Sequence, residues 1–142
     1  MTRTLKLQLA ALAAIGIGVS GCVPKVSSPV VAGAQLGNRP VDQALAQRGA
    51  EIFAKNGCYM CHGFGTTVRS APDLAGIMER RDPAWIRRWL LNTTEMLQND
   101  PQAMAMLKDW KGYKMPQIRL RAEDIDPLFH YMANESARVR GN

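Results

Sequence analysis

The densest set of reactive side chains in this chain lies in five consecutive residues, Cys58, Tyr59, Met60, Cys61 and His62. Two thiols at this spacing can each add across one of the two vinyl groups on the same edge of a haem. The histidine directly after the second thiol is then held beneath the iron, where its ring can be the proximal ligand. This C-x-x-C-H run is the attachment signature of a c-type haem.

Two other chemistries use parts of the same motif. C-x-x-C is also the redox pair of thioredoxin-like proteins, but that interpretation requires a surrounding βαβ pattern, which the flanking sequence does not have. Zinc could bind the two cysteines and the histidine, yet a closed site needs a fourth ligand. Only Cys22 and His130 remain to supply it, and Cys22 is predicted to have another role. Covalent haem is therefore the favoured interpretation.

The first 21 residues have the pattern of a secretory signal peptide. A short basic stretch with Arg3 and Lys6 precedes an apolar run from Leu7 to Val19, which is too short for a comfortable membrane span. The run ends in Val19-Ser20-Gly21-Cys22, which resembles a bacterial lipobox and implies cleavage before Cys22 and a diacylglyceryl thioether on its sulfur. The alternative is an ordinary signal peptide followed by a free thiol.

Export and haem attachment agree with each other, because bacteria attach haem c covalently outside the cytoplasmic membrane. The three cysteines are then fully used, with Cys22 for lipid and Cys58 and Cys61 for haem. We therefore expect a periplasm-facing protein of the bacterial cell envelope, anchored by lipid at either the inner or the outer membrane.

The rest of the chain divides into a tether and one domain. Residues 22–40 contain Pro24, Pro29 and Pro40 with glycines and serines but no helical stripe, which predicts a flexible lipidated tether. Residues 41–142 are predicted to form one domain. Helical periodicity dominates it and no convincing strand is visible, so the expected fold class is all-α. The predicted helices cover residues 41–55, 83–91, 101–110 and about 124–137.

From Val41 to about Ala137 the chain resembles the class I cytochromes c. Beside the C-x-x-C-H motif, the resemblance rests on patterns in both terminal helices and on two proline motifs, namely Gly49 and Phe53, Leu128 and Tyr131, Ala71-Pro72-Asp73-Leu74, and Met115-Pro116. It implies the class I cytochrome c fold, with helices wrapped around one covalently bound haem and the terminal helices crossing closely at the glycine.

The resemblance also implies a ligand set. In the family a proline carbonyl accepts a hydrogen bond from the proximal histidine, which here would join Pro72 to His62. A methionine in the loop before the last helix supplies the sixth ligand, and Met115 holds that place among the eight methionines. His130 is the alternative sixth ligand that the sequence offers.

A haem iron with both axial positions filled has no open site for substrate, and so the chain is expected to be an electron carrier rather than an enzyme. No nucleophile triad, phosphate loop or other catalytic motif is recognisable. A sensor or small redox enzyme with an open or displaceable sixth ligand is the alternative function. A fixed subunit of a respiratory complex is a further one.

Charge indicates the kind of partner. The chain carries a formal charge of +6 at pH 7, and loss of Arg3 and Lys6 with the signal would leave +4. Five basic residues against Asp109 alone bracket Met115, namely Lys108, Lys111, Lys114, Arg119 and Arg121. A basic rim of this kind would steer redox proteins with acidic docking surfaces, although a merely solvated basic loop would have the same composition. Nucleic acid is not an expected partner of an exported lipoprotein.

Overall fold

The computed structural model describes residues 34–65 and 70–141. Within these ranges it contains a short hairpin and six α-helices: β1 (Gln35–Leu36), β2 (Arg39–Pro40), α1 (Gln43–Lys55), α2 (Ile77–Arg80), α3 (Pro83–Leu91), α4 (Thr93–Asn99), α5 (Pro101–Asp109) and α6 (Ile125–Arg140). The all-α prediction is confirmed. The predicted signal peptide and Cys22 lie outside the described residues. None of the helices in the described ranges is long and apolar enough to cross a membrane.

The two terminal helices, α1 and α6, make the main packing contact of the fold. They cross at Gly49, which is buried against the backbone carbonyl of Pro127 and the Cβ of Tyr131. A side chain at position 49 would occupy the space that this carbonyl fills, so a glycine is required for the close approach. The resemblance predicted this crossing, and the structure has it.

Three aromatic rings fill the space beside the crossing. The ring centroids of Phe53 and Tyr131 are 5.1 Å apart, and those of Phe64 and Tyr131 are 5.8 Å apart in an edge-to-face arrangement. Burial raises the pKa of Tyr131 to about 12, so its phenol stays neutral at physiological pH. This cluster joins the loop that contains Phe64 to both terminal helices.

Aspartate caps begin three of the helices. Asp42 accepts a hydrogen bond from the N–H of Leu45 at the start of α1, and Asp82 does the same for Ala84 at the start of α3. Asp100 accepts from two backbone N–H groups at the start of α5. Pro83 and Pro101 follow their caps at the first helical position, where the missing N–H costs nothing.

The last helix is reached through a single 3₁₀ turn, Ala122–Asp124. Asp124 is buried there and accepts a hydrogen bond from the backbone N–H of Arg121 at 2.9 Å. That bond and the guanidinium of Arg121, 3.3 Å away, hold the pKa of the Asp124 carboxyl below its usual range. Arg48 of α1 lies 3.7 Å from the same carboxylate, so the cap also connects the two terminal helices.

The structure differs from the tether prediction at residues 34–40. These residues form a hairpin in which Leu36 pairs with Arg39 across the turn at Gly37-Asn38. Ala34 and Leu36 are buried, and β1 contacts α6. The prediction of a flexible tether is therefore wrong for this part, because two apolar side chains give the segment a surface to bury against the domain.

Candidate haem site

The C-x-x-C-H motif begins where α1 ends. Asn56 is the C-cap residue of α1. Gly57 follows in a left-handed conformation with φ of 68°, which residues with a side chain rarely adopt. The 3₁₀ turn Cys58–Met60 follows directly, and the N–H of His62 donates to the carbonyl of Cys58 at 3.0 Å. This single tight turn fixes the two thiols and the imidazole on one short piece of backbone.

His62 is oriented by the proline predicted from the resemblance. Its Nδ1 lies 2.8 Å from the carbonyl oxygen of Pro72. A carbonyl can only accept, so Nδ1 carries the proton and Nε2 keeps its lone pair for a metal. Burial lowers the pKa of His62, which favours the neutral ring that a metal ligand must be.

Asp73 holds Pro72 in place. Its Oδ1 accepts hydrogen bonds from the backbone N–H groups of Gly65 at 3.0 Å and Ala75 at 2.7 Å. The guanidinium of Arg80 donates to the Asp73 carbonyl at 2.8 Å. Groups on both sides of residues 66–69 are thereby joined, and the carbonyl that orients His62 sits in a fixed turn.

The two thiols are free and differ in exposure. Cys58 is half-buried and packs against the hydrophobic core, whereas Cys61 is exposed. Burial raises the pKa of the Cys58 thiol. Addition of a thiol to a vinyl group forms a C–S bond and, unlike binding of a metal by cysteine, does not need a standing thiolate. A protonated Cys58 is therefore compatible with thioether formation.

Met115 lies in the segment between α5 and α6 and packs against the same hydrophobic core as Cys58. The neighbouring Gln117 anchors this segment with both ends of its amide. Its Nε2 donates to the carbonyl of Leu91 at 3.0 Å, and its Oε1 accepts from the N–H of Thr94 at 3.1 Å. The methionine loop is therefore attached to the junction between α3 and α4.

The sulfur of Met115 has a polar neighbour. The indole N–H of Trp89 donates to it, with 3.2 Å between Nε1 and Sδ. Trp89 stacks on Trp85, with ring centroids 5.5 Å apart and planes inclined by 9°. Both tryptophans are buried. A thioether sulfur has two lone pairs, so this hydrogen bond leaves one available for a metal.

His130, the alternative ligand from the sequence, is used elsewhere. Its Nδ1 accepts a hydrogen bond from the backbone N–H of Asp42 at 2.9 Å, and the ring is buried. Its Nε2 lies 3.9 Å from a carboxylate oxygen of Asp126. His130 thus joins the start of α1 to α6, and Met115 is the better candidate for the sixth position.

The residues present fit haem c better than zinc. In the described part of the chain, no group of three or more His, Cys, Asp or Glu side chains is placed to hold a metal ion. Covalent haem needs two thiols held close together, one neutral imidazole and one further neutral donor, and Cys58, Cys61, His62 and Met115 supply these.

Sequence reasoning missed the residues that position this set. Asp73 follows a proline and accepts from the N–H two residues on, which is a known local pattern of aspartate and could have been predicted. The contact of Trp89 with Met115 joins residues 26 positions apart, and no spacing rule indicates it. The hydrogen bonds of the Gln117 amide to Leu91 and Thr94 could not be predicted from the sequence either.

Comparisons with known proteins agree with this geometry. A sequence model of the family described as cytochrome c matches residues 46–136. The structure is similar to that of a cytochrome c from Rhodothermus marinus, at 26% identity over 78% of this chain and 88% of that chain, with a TM-score of 0.63. It is also similar to a cytochrome c domain from Pseudomonas putida, at 34% identity over 65% of this chain and 91% of that chain, with a TM-score of 0.58.

A further similar structure is an engineered form of the Rhodothermus marinus protein that is bound to a carbene intermediate. It is 26% identical over 78% of this chain and 91% of that chain, with a TM-score of 0.60. No curated protein sequence gives a significant match.

Proposed function

The chain belongs to the cytochrome c family, and on that premise we propose that it is a membrane-anchored, periplasmic carrier of single electrons with His62 and Met115 as axial ligands. The family's cofactor is covalently bound haem c, and Cys58 and Cys61 stand in its attachment motif. When bound, haem c supplies an iron that changes between ferrous and ferric by one electron.

One observation carries the assignment of the proximal ligand. The hydrogen bond from Nδ1 of His62 to the carbonyl of Pro72 selects the tautomer whose Nε2 can bind iron. The Asp73 turn keeps that carbonyl fixed, so the ring orientation exists before a metal arrives. Preorganisation of this kind is typical of metal-ligating histidines.

The neutral thioether of Met115 supports a carrier rather than an open site. Its loop is held by Gln117 and its sulfur by Trp89, so the ligand is supplied by a fixed segment. A filled sixth position leaves little to rearrange on electron transfer. The alternative is a sensor or redox enzyme, in which Met115 is absent from the iron or readily displaced.

A redox titration of the mature holoprotein tests the proposal. We expect one reversible wave with one-electron slope and the positive potential range of haem with thioether ligation. A wave at the low potential typical of bis-imidazole ligation would contradict Met115. An autoxidising, high-spin protein would instead favour the alternative function.

We extend the proposal to the membrane anchor at Cys22. The support is the lipobox-like Val19-Ser20-Gly21-Cys22 behind a signal-like run. Cys22→Ser is expected to abolish attachment of lipid to the haem protein, because serine gives no thioether to the lipid. The measurement is incorporation of labelled palmitate into the haem-stained protein band of cells that produce the wild type or the variant. Equal labelling of wild type and variant, or no labelling of the wild type, would contradict lipid anchoring at Cys22.

We also infer a docking surface for acidic redox proteins around Met115, which we call the basic loop and define by Lys108, Lys111, Lys114 and Arg119. In the described part of the chain none of the four is in an ion pair, whereas Arg121, which the sequence grouped with them, is paired with Glu123 and Asp124. Tyr113 lies among them and is 74% exposed. Unpaired cations around an exposed ring favour fast, salt-sensitive docking of an acidic surface.

A charge reversal in the basic loop tests whether its positive charge attracts anionic redox partners. Lys111→Glu with Lys114→Glu is expected to slow oxidation of the ferrous protein by ferricyanide, a trianion, by about tenfold at low salt, and to lose most of the ionic-strength dependence. The matched control is Arg39→Glu with Lys55→Glu, because both residues are exposed, lie outside the basic loop and form no ion pair within the described part of the chain. Equal slowing in both double variants would assign the effect to net charge and not to the basic loop.

A further inference from the structure

We infer that Trp89 is the positioning residue for the Met115 sulfur. Its indole N–H stabilises Met115 as the sixth ligand and raises the reduction potential of the haem. The inference rests on the proposed ligation by Met115. It goes further because it assigns a function to a side chain on another helix, 26 residues away in the sequence.

The geometry makes the contact a specific one. Trp89 is buried, and its Nε1 lies 3.2 Å from Sδ of Met115. An indole has one donor and no acceptor, and a thioether is a weak acceptor with two lone pairs. One lone pair accepts the N–H and fixes the rotation of the side chain, which leaves the other lone pair pointing in a defined direction.

The tryptophan is itself held in place. Trp85 stacks on it almost in parallel, and the Trp85 indole N–H lies 3.2 Å from both carboxylate oxygens of Asp100. Asp100 is fixed in turn because it caps α5 through the N–H groups of Gln102 and Ala103. The Trp89 ring therefore cannot easily follow the sulfur if Met115 moves away.

Two consequences follow for the sixth ligand. If Met115 left the iron, it would leave a buried N–H without its acceptor, so release is disfavoured. A hydrogen bond to the sulfur also withdraws electron density from it and so weakens the electron donation from sulfur to iron. The electron-poor ferric state depends on that donation more than the ferrous state does. The hydrogen bond should therefore raise the reduction potential.

Trp89→Phe tests the inference, because phenylalanine keeps a stacking ring and removes the N–H. Met104→Leu, at a half-exposed side chain on α5, is the control for effects of substitution in general. The readouts on the holoproteins are the reduction potential, the far-red thioether-to-ferric charge-transfer band, and titration with imidazole as a competing ligand. A merely structural role would not move the potential and the band together.

We expect Trp89→Phe to lower the reduction potential and weaken the far-red band. We also expect it to raise the apparent affinity for imidazole about three- to tenfold, because more of the protein has an open sixth position. Met104→Leu should match the wild type in all three. A Trp89→Phe protein equal to Met104→Leu would overturn the inference while leaving ligation by Met115 intact. A wild type without the thioether band would overturn the proposed ligation and this inference with it.

A second measurement covers the case in which Trp89→Phe does not mature. In the ¹⁵N-labelled ferrous holoprotein, Met115→Leu removes the acceptor while nearly preserving side-chain volume. Carbon monoxide is added to the variant so that its iron stays low-spin and the indole signals can be compared with those of the wild type. Hydrogen exchange at the Trp89 indole N–H should then accelerate, while the Trp85 indole N–H, which donates to the carboxylate of Asp100, keeps its rate. Unchanged exchange at Trp89 would contradict the hydrogen bond.

Discussion

Met115→Leu is expected to turn a closed, low-spin haem protein into one with an open sixth position. Leucine fills a similar volume but has no lone pair, so the segment held by Gln117 keeps its shape and loses the ligand together with the acceptor of the Trp89 indole N–H. Thioether ligation favours the ferrous state. We therefore expect the reduction potential to fall by roughly 0.1 V, which is nearly two decades in the equilibrium constant at about 59 mV per decade.

The measurement is a spectroelectrochemical titration of both proteins, in which the variant also loses the far-red thioether band. Met104→Leu is the matched control, because Met104 lies on α5 and is half exposed. It should behave as the wild type. An unchanged potential in Met115→Leu would mean that another residue is the sixth ligand.

Gly49→Val is expected to prevent close crossing of the terminal helices. In an open helix, replacing glycine with a residue of higher helix propensity is neutral or stabilising. Here a Cβ would meet the backbone carbonyl of Pro127 and the Cβ of Tyr131, and backbone atoms cannot yield as a flexible side chain does. We expect a loss of about 3 kcal/mol or more in the free energy of unfolding, at the upper end for overpacked sites.

Denaturant unfolding of the holoprotein, followed by far-UV circular dichroism, measures the loss. Ala44→Val is the control, since Ala44 is exposed on the same helix and valine there costs only the propensity difference of about 0.6 kcal/mol. A Gly49→Val protein within that range would show that α1 and α6 can separate at this point without penalty. Failure to accumulate holoprotein, with normal yields of the control, would agree with the prediction.

The helices that could be predicted are those with strong local signals. α3 was predicted over its whole length, residues 83–91, because Asp82 and Pro83 mark its start. α5 and α6 were placed within three residues at either end. α1 was placed two residues early, because Asp42 caps it and the helix starts at Gln43. These signals depend on neighbours in the sequence, and folding does not alter them.

The elements that were missed are short. α2 has four residues, and α4 follows α3 after Asn92 without a side-chain cap. The hairpin was hidden by the prolines and glycines around it, although Gly37-Asn38 between short runs is itself a hairpin signal. Its stability depends on burying Ala34 and Leu36 against the domain, which only the tertiary structure provides.

The candidate site divides in the same way. The two thiols, His62 and the bond to Pro72 follow from a contiguous motif and one family pattern. The prediction of Met115 rests on the family resemblance, because such proteins have a methionine, often followed by proline, in the loop before the last helix. Trp89 and Gln117 make the contacts that hold the Met115 segment against α3 and α4. Contacts between residues so far apart in the sequence cannot be predicted from its periodicity.

We propose that the chain carries electrons on a haem iron whose two axial positions are filled by His62 and Met115. The most direct test is the visible spectrum of the ferrous wild-type holoprotein before and after addition of carbon monoxide. We expect sharp low-spin bands that carbon monoxide does not change within minutes. Immediate formation of the carbon monoxide complex would contradict it, because the sixth position would then be open and ligand sensing or catalysis would become the function to test.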